Sequence, residues 1–210
     1  PDGHEAACKL FHFHGVFLSL QCRDHATLFF MKYDFVAIGD ITTDAFIRLK
    51  DFDEIVNHGK REVCISFGDK VAYEEVIEIR AVGNSANAAV SAKRLGLSSA
   101  LITMIGDDDN GAKCLETLRG NGVSDEFVGV EKGKPTNYHY VLRYGAERTI
   151  LIKHEEYPYT LPDFKTPPRF LYFSSIGEIS SVLNTQVSHP PPSCAFCETA
   201  LPQGVDSVAG

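Results

Sequence analysis

Residues 83–95 combine a glycine, two asparagines and a run of small side chains at the predicted start of a helix. Gly83 would let the backbone approach a ligand closely, and the first turn of a helix offers N–H groups with a partial positive charge. The carboxamide of Asn87 donates and accepts hydrogen bonds, so it could hold two neighbouring hydroxyl groups. The pattern indicates a site for a neutral polyol. It is also typical of a helix that packs closely on a sheet through its alanines, with Asn84 as the N-cap.

A second stretch, at 39–46, places two carboxylates after a predicted strand. Asp40 follows Gly39 directly, and Asp44 comes shortly after it. Open α/β sheets bind ligands at the carboxyl ends of their strands, and a carboxylate can accept two hydroxyl hydrogen bonds from a sugar. The alternative is a turn in which Asp40 is a cap and Asp44 is solvated.

The segments around these stretches alternate between strand and helix patterns. This order predicts an α/β fold with a doubly wound, mostly parallel sheet. Residues 74–82 and 137–144 alternate apolar and polar positions, which predicts a small antiparallel flap with one wet face. On that flap we expect Tyr138 and His139 to pack or to contact solvent. The predicted buried strands are 33–40 and 99–106, and the predicted helices are 84–95 and 110–119.

Composition and charge exclude several classes of function. The chain has 210 residues, 44% hydrophobic and 23% charged, so it fits one globular domain with appendages. Its net charge is -8 and it has no long Lys/Arg run, so we expect neither nucleic acid nor a membrane as a partner. No apolar run approaches the roughly 20 residues of a spanning helix. The six cysteines do not resemble a disulfide framework, which predicts a cytoplasmic protein.

The chain divides into three zones. Residues 1–30 mix His, Cys and Phe without a period, and we expect them to be an atypical leader outside the domain. Residues 31–178 carry the patterned segments. Residues 179–210 contain no Lys or Arg and include three consecutive prolines, so we expect them to be poorly ordered or foreign to the domain.

Residues 39–44, 83–96 and 100–111 together resemble the amino-terminal part of the PfkB, or ribokinase-like, carbohydrate kinases. Several segments agree with that family in order and spacing, and the resemblance covers about 31–178. The residues at the spacing of the family's first motif are Asn87, Ala89, Gly96 and Gly106. Further similar segments are 122–128, 145–152 and 172–178.

The resemblance implies a ribokinase-like fold and ATP-dependent phosphorylation of a hydroxymethyl group on a sugar or nucleoside, with Mg²⁺. It implies that Asp44, Gly83 and Asn87 hold the sugar hydroxyls and that Glu147 reaches the sugar from the flap. It also implies that the flap closes over the sugar and excludes water, which otherwise competes as phosphoryl acceptor. A homodimer formed through the flap strands is a further implication.

The sequence departs from the family pattern at three places. Val82 replaces the first glycine of a usual pair, and Ser85 stands where glycine, alanine or proline is more usual. The family's catalytic aspartate lies in a Gly-Ala-Gly-Asp-type turn, and the nearest stretch here, 204–207, lacks the glycine pattern. We therefore assign no catalytic or nucleotide-binding residue and expect a truncated kinase that is inactive as it stands. The alternative is a non-catalytic sugar-binding module derived from such a kinase.

Two weaker patterns suggest other chemistry. Residues 106–113 miss the spacing of a phosphate-binding loop, and their three aspartates would repel phosphate, so we expect Asp109 or Asn110 to cap the next helix. Cys194 and Cys197 form a single C-x-x-C without the additional ligands that zinc needs. We assign no metal site, and a metal-binding protein that uses the terminal Cys and His residues is a third hypothesis.

Overall fold

The computed structural model describes residues 11–13, 16–18, 32–50, 53–57, 59–164, 166–174 and 195–198. Neither helix in these ranges is long and apolar enough to cross a membrane. In chain order the elements are β1 (Phe11–Phe13), β2 (Val16–Leu18), β3 (Phe35–Ile38), β4 (Thr42–Leu49), β5 (Asp53–Asn57), β6 (Lys60–Cys64), β7 (Tyr73–Val82), α1 (Asn84–Arg94), β8 (Ser99–Gly106), α2 (Asp109–Gly120), β9 (Val128–Glu131), β10 (Tyr138–Tyr144), β11 (Glu147–Leu151), β12 (Phe170–Phe173) and β13 (Ala195–Glu198).

The central sheet has the order β13-β12-β3-β8-β9, and every pair in it is parallel. Strand β3 is a continuous apolar run and β8 is mostly apolar, as is usual for strands that are buried on both faces of a parallel sheet. The predicted α/β fold with a mostly parallel sheet is confirmed. The strand predicted at 99–106 matches β8 at both ends.

Both helices pack into one core cluster on one face of this sheet. Ala86 and Ala89 of α1 are fully buried there together with Cys114 and Leu118 of α2. Such small side chains let α1 approach the sheet closely. The alternative that the alanines serve to pack the helix on a sheet is therefore confirmed. Helices α1 and α2 begin within one residue of their predicted starts.

Strands and irregular segments form the core cluster on the opposite face. Val36 and Ile38 of β3 are buried there with Leu171 and Phe173 of β12. The chain after β11 runs back over this face and covers it without forming a helix. Its partly buried side chains in the cluster are Tyr159, Leu161 and Phe164.

A second sheet, which we call the flap, has the order β11-β10-β4-β7. The two predicted flap segments, β7 and β10, lie in this sheet but are separated by β4. The pairs β10–β11 and β4–β7 are antiparallel, whereas β4 and β10 are parallel. The difference arises because both strands leave the same edge of the central sheet. β4 follows β3 after a short turn, and β10 begins beside it, where the Thr43 amide donates to the carbonyl of Asn137 at 3.1 Å.

A β-bulge bends β7 where it returns to the central sheet. Thr42 pairs with Val82 and Asp44 with Ile79, so β7 accommodates one more residue than β4 over this interval. Ala81 lies in the bulge with φ of 55°, in the left-handed region that non-glycine residues rarely adopt. The bend leads directly into Gly83 and α1.

Three short strands lie in the zones predicted to stand outside the domain. β1 and β2 pair with each other, whereas β13 pairs in parallel with β12 and forms an edge of the central sheet. The rest of 1–30 and 179–210 lies outside the described residues. The three-zone division therefore stays a prediction.

Candidate functional site

Asp40 lies immediately after β3, at the carboxyl edge of the central sheet. Its side chain is 10% exposed, and its Oδ1 accepts a 2.7 Å hydrogen bond from the Tyr159 hydroxyl. Burial, and then the Asp40 carboxylate, raise the pKa of Tyr159 well above its usual value, so the phenol remains a donor. The other oxygen, Oδ2, lies 3.5 Å from Nδ1 of His154. The Asp40 carboxylate is therefore largely buried between Tyr159 and His154 rather than solvated at the surface.

Gly83 brings the start of α1 against Asp40. It is the N-cap of α1, with φ of 110°, and a Cβ added to it would lie 2.8 Å from the Asp40 carbonyl oxygen. The close approach seen at this glycine is to the protein's own backbone, and its predicted approach to a ligand stays a prediction. The alternative that Asn84 is the N-cap is wrong, because Asn84 is already the first helical residue. No side chain caps the first turn.

Asn87 lies one turn into α1. Its backbone amide donates to the carbonyl oxygen of Gly83 at 2.9 Å, and the residue is exposed. Asn87 thus lies one turn from the helix start that approaches Asp40.

Asp44 lies on β4 in the flap rather than at the end of a central strand. The sequence interpretation put it at the carboxyl end of a strand, but β4 begins at Thr42 and carries Asp44 away from the sheet. Across the parallel pairing, Asp44 lies opposite His139 of β10, with its Oδ1 3.4 Å from Nδ1 of His139. The His139 side chain is only 12% exposed.

These residues form one group, the polar cluster, which consists of Asp40, Asp44, Asn137, His139 and His154. The rings of His139 and His154 meet edge to face with centroids 5.4 Å apart, and Oδ1 of Asn137 accepts from the neighbouring Glu155 amide at 2.7 Å. The Asp40 carboxylate raises the pKa of His154 more than burial lowers it.

Four side-chain atoms in the polar cluster are buried without a well-formed hydrogen bond, and the two carboxylate oxygens among them have only a histidine Nδ1 at 3.5 Å and 3.4 Å. Such atoms cost free energy unless a ligand or water satisfies them, and in native proteins they are few. They include acceptors and a donor, which is the mixture that sugar hydroxyls complement. The atoms are Asp40 Oδ2, Asp44 Oδ1, Asn137 Nδ2 and His139 Nε2.

Glu147 is not brought to the polar cluster. It begins β11, its side chain is 74% exposed, and its carboxylate lies 3.7 Å from the Arg61 guanidinium. It pairs with Tyr144, and alternation along β10 puts Tyr144 on the opposite face of the flap from His139 and Asp44. The role of Glu147 in sugar binding stays a prediction.

The sequence interpretation missed His139, His154 and Asn137. We expected His139 to pack or to contact solvent. Its position beside Asp44 comes from a parallel pairing of two strands far apart in the chain, which the local sequence does not predict. His154 lies in an irregular segment without a periodic pattern. One histidine within a predicted flap strand and a second shortly after it were the available signal.

The start of α2 does not form a phosphate-binding loop. The start of α2 carries three consecutive aspartates, and Asp108 caps that helix by accepting from the Gly111 amide at 2.8 Å. The expectation that Asp109 or Asn110 provides this cap is therefore wrong by one residue or two. Within the described ranges no group of three His, Cys, Asp or Glu side chains could hold a metal ion. The terminal Cys and His side chains of the metal hypothesis lie outside the part described.

Comparison with known proteins points to one family. Residues 37–194 match the family described as pfkB family carbohydrate kinase. A 2-dehydro-3-deoxygluconokinase of Thermoproteus tenax is 36% identical over 85 residues, which is 39% of this chain and 26% of that enzyme. Fructokinase-1 of Oryza sativa subsp. japonica is 33% identical over 107 residues, which is 45% of this chain and 33% of the relative.

A solved structure has the same fold. A ribokinase from Cryptococcus neoformans var. grubii serotype A, in complex with ADP, superposes with a TM-score of 0.57 at 22% identity and covers 77% of this chain and 47% of that one. The chain thus spans well under two thirds of the length of each relative. Since the family match covers most of the sequence, the chain belongs to the pfkB family of carbohydrate kinases.

Proposed function

We propose that this chain binds a sugar or nucleoside at the polar cluster and provides the sugar-binding part of an ATP-dependent kinase. In that reaction a hydroxymethyl group of the sugar or nucleoside is phosphorylated. The observation that carries the proposal is the set of buried, unpartnered polar atoms contributed by β4, β10 and the end of β3. A polyhydroxylated ligand supplies donors and acceptors to all of them at once.

Each proposed contact has a distinct chemical role. Asp44 accepts hydrogen bonds from sugar hydroxyls, since a carboxylate can accept two. Asn87 donates and accepts through its exposed carboxamide, and Gly83 keeps the helix start close to the ligand. Glu147 reaches the sugar only if the flap rearranges, because its side chain points into solvent on the other face.

The flap excludes water from the bound sugar. Strands β4 and β10 carry Asp44 and His139 and continue outward as one face of the flap, where Val141 is buried. Water that reaches a reacting phosphoryl group competes with the sugar, so a covering sheet favours transfer to the sugar. In this arrangement the residues that hold the sugar also belong to the element that covers it.

The chain by itself binds sugar without turning it over. Its sequence contains no Gly-Ala-Gly-Asp-type turn, and within the described residues no group of three His, Cys, Asp or Glu side chains could hold a metal ion. Phosphoryl transfer depends on positioning and charge stabilisation, so both are needed for activity. This absence favours the non-catalytic sugar-binding module as the function of the isolated polypeptide.

The flap also forms a homodimer interface in this proposal. Three large apolar side chains are exposed on the flap face opposite Asp44, namely Val76, Tyr140 and Leu151, whereas the exposed Ile77 and Ile79 lie on the same face as Asp44. Burial of such a surface against a second copy would be stabilising. A reducing, cytoplasmic location is proposed as well, which the buried free thiol of Cys114 supports.

Calorimetric titration tests the proposed function. The 210-residue chain is titrated with D-fructose, D-ribose, 2-dehydro-3-deoxy-D-gluconate and adenosine, and ADP formation is then measured with ATP and Mg²⁺. We expect saturable binding of at least one compound and no sugar-dependent ADP. Failure of all four to bind would overturn the sugar site, and sugar-dependent ADP would overturn the claim that the chain is inactive alone.

A further inference from the structure

We propose that His139 is a specificity residue of the sugar site, whose Nε2 accepts a hydrogen bond from one particular substrate hydroxyl. This inference rests on the proposed sugar-binding function and names a contact that was not predicted from the sequence. It follows from three features of the described residues: the position of His139 beside Asp44, the ring nitrogen that faces the carboxylate, and the nitrogen that has no partner.

The register of the flap sets His139 beside Asp44. The two residues are opposite each other in the parallel β4–β10 pair, so their side chains lie on the same face. Both are largely buried, and Nδ1 of His139 is 3.4 Å from Oδ1 of Asp44. At this distance the contact is a loose one that a small side-chain rotation would tighten.

The carboxylate determines which ring nitrogen carries the proton. A carboxylate favours a donor at the nearer nitrogen, so neutral His139 has its proton on Nδ1. Nε2 then has a free lone pair and is an acceptor. The Asp44–His139 pair therefore offers an oriented acceptor next to carboxylate oxygens that also accept.

Nε2 of His139 is buried without any protein partner. If His139 only filled space, an apolar residue could stand in its place without loss. Val141, two residues further along the same face of β10, is such a buried apolar residue. A buried acceptor that the protein leaves unpaired is costly unless the ligand satisfies it. A hydroxyl group donates to it directly.

Such a contact discriminates strongly among sugars. A site built to pair with one hydroxyl rejects the analogue lacking that hydroxyl, because the buried acceptor is then left unpaired. Loss of one such hydrogen bond corresponds to roughly tenfold or more in affinity. His139 thus selects substrates that carry a hydroxyl at one position and penalises their deoxy analogues.

Two substitutions separate the two ring nitrogens. His139→Asn keeps a donor near the position of Nδ1, which can still face Asp44, but has no atom at the position of Nε2. His139→Gln reaches the position of Nε2 but offers Asp44 no donor at the nearer position. The two variants are similar in polarity, so they are matched controls for each other.

The experiment measures affinity for a deoxy series. The probe is whichever of the four titrated compounds binds most tightly to the 210-residue chain, together with its monodeoxy analogues. We expect one analogue to bind wild type at least about tenfold more weakly than the parent compound. For His139→Asn that same difference should fall below about threefold, whereas His139→Gln should keep part of it.

An NMR measurement reports directly which ring nitrogen of His139 carries the proton. The ¹⁵N shifts of His139 should report the proton on Nδ1 in the free chain, and addition of the probe should move mainly the Nε2 signal. A merely structural role predicts neither a probe-dependent Nε2 shift nor a change in the deoxy series.

The outcomes distinguish this inference from the proposed function. If Asp44→Asn abolishes binding while His139→Asn discriminates deoxy analogues as wild type does, the role of His139 is overturned and the sugar site stands. If the proton lies on Nε2 with and without the probe, the acceptor role is overturned too. If no compound binds wild type, both proposals fail together.

Discussion

The hydroxyl of Ser85 donates to the carbonyl oxygen of Ile38 at 2.7 Å and so fastens the first turn of α1 to the end of β3. Ser85 is fully buried, and its hydroxyl also meets that of Ser174 just after β12. A single side chain thereby joins α1 to two strands of the central sheet. This contact explains a serine where the family usually has a smaller or apolar residue.

Ser85→Ala should therefore lower the free energy of unfolding by about 1–2 kcal/mol, because it removes a buried hydrogen bond and leaves Ser174 with one partner fewer. Urea denaturation measures the change. Ser91→Ala, the same replacement further along α1, is the control and should change stability by less than about 0.5 kcal/mol. Equal stability of wild type and Ser85→Ala would show that the contact is not a stabilising one.

Gly83→Ala should disturb the site more than the fold. The added Cβ would meet the Asp40 carbonyl at 2.8 Å, and φ of 110° disfavours any side chain. We expect sugar affinity to fall by about tenfold or more as α1 moves away from Asp40. Gly120→Ala is the control, since nothing lies within 4 Å of its added Cβ. A Gly83→Ala protein with wild-type affinity would show that this close approach is not needed for binding.

Asp108 joins α2 to the strand that carries His139. Its carboxylate accepts from the Gly111 amide at the start of α2 and from the Thr136 hydroxyl and amide just before β10. Asp108→Ala should lower the free energy of unfolding by about 2 kcal/mol, and Asp108→Asn by less, because asparagine still caps a helix. Chemical denaturation of the two variants at neutral pH checks the order, and wild-type stability in Asp108→Ala would contradict it.

Stability should also depend on the charge of Asp108. Burial alone would raise the pKa of Asp108, but its hydrogen bonds outweigh burial and hold the pKa below its usual value of 3.8. The native state thus favours the carboxylate, so this stabilisation is fully present above pH 3.8 and is lost as pH falls through the native pKa. The stability difference between wild type and Asp108→Ala should shrink over that acidic range.

His154 should give the opposite pH dependence. The Asp40 carboxylate raises the pKa of His154, so its pairing stabilises the fold fully below pH 6.5 and is lost as pH rises through the native pKa. We expect wild type to have a larger free energy of unfolding than His154→Gln below pH 6.5, and this difference should shrink as pH rises from 6.5 through the native pKa of His154. The ring of His139 packs against His154, so His139→Gln is the control. This variant keeps the His154–Asp40 pair, and the stabilisation from that pair should still be lost as pH rises. A stability difference that stays constant with pH would contradict the pairing.

Local patterns were sufficient to predict β3 and β8 of the central sheet and both helices. β8 is a continuous apolar run with a glycine at its end, and α1 has small residues on its buried side, so both are visible in a short window of sequence. Gly83 and Asn87 could be selected for the same reason, since they mark the start of a helix after a strand.

Local patterns could not predict which strands pair when they are far apart in the sequence. Asp44 meets His139 because β4 and β10 run in parallel, and no local feature of either strand reports the direction of its neighbour. His154 reaches Asp40 from a segment without periodicity, which a turn-by-turn interpretation treats as a loop. The family resemblance implied Asp44 as a site residue but did not include the histidines near it.

The most direct test of the sugar site is calorimetric titration of wild type, Asp44→Asn and Asn87→Ala with the tightest-binding of the four compounds. Thermal unfolding of each protein shows that the fold is retained. We predict that wild type binds and that each variant binds more than about tenfold more weakly, because a buried hydrogen bond to the ligand is lost. Unchanged affinity in both folded variants would contradict the assignment of this site.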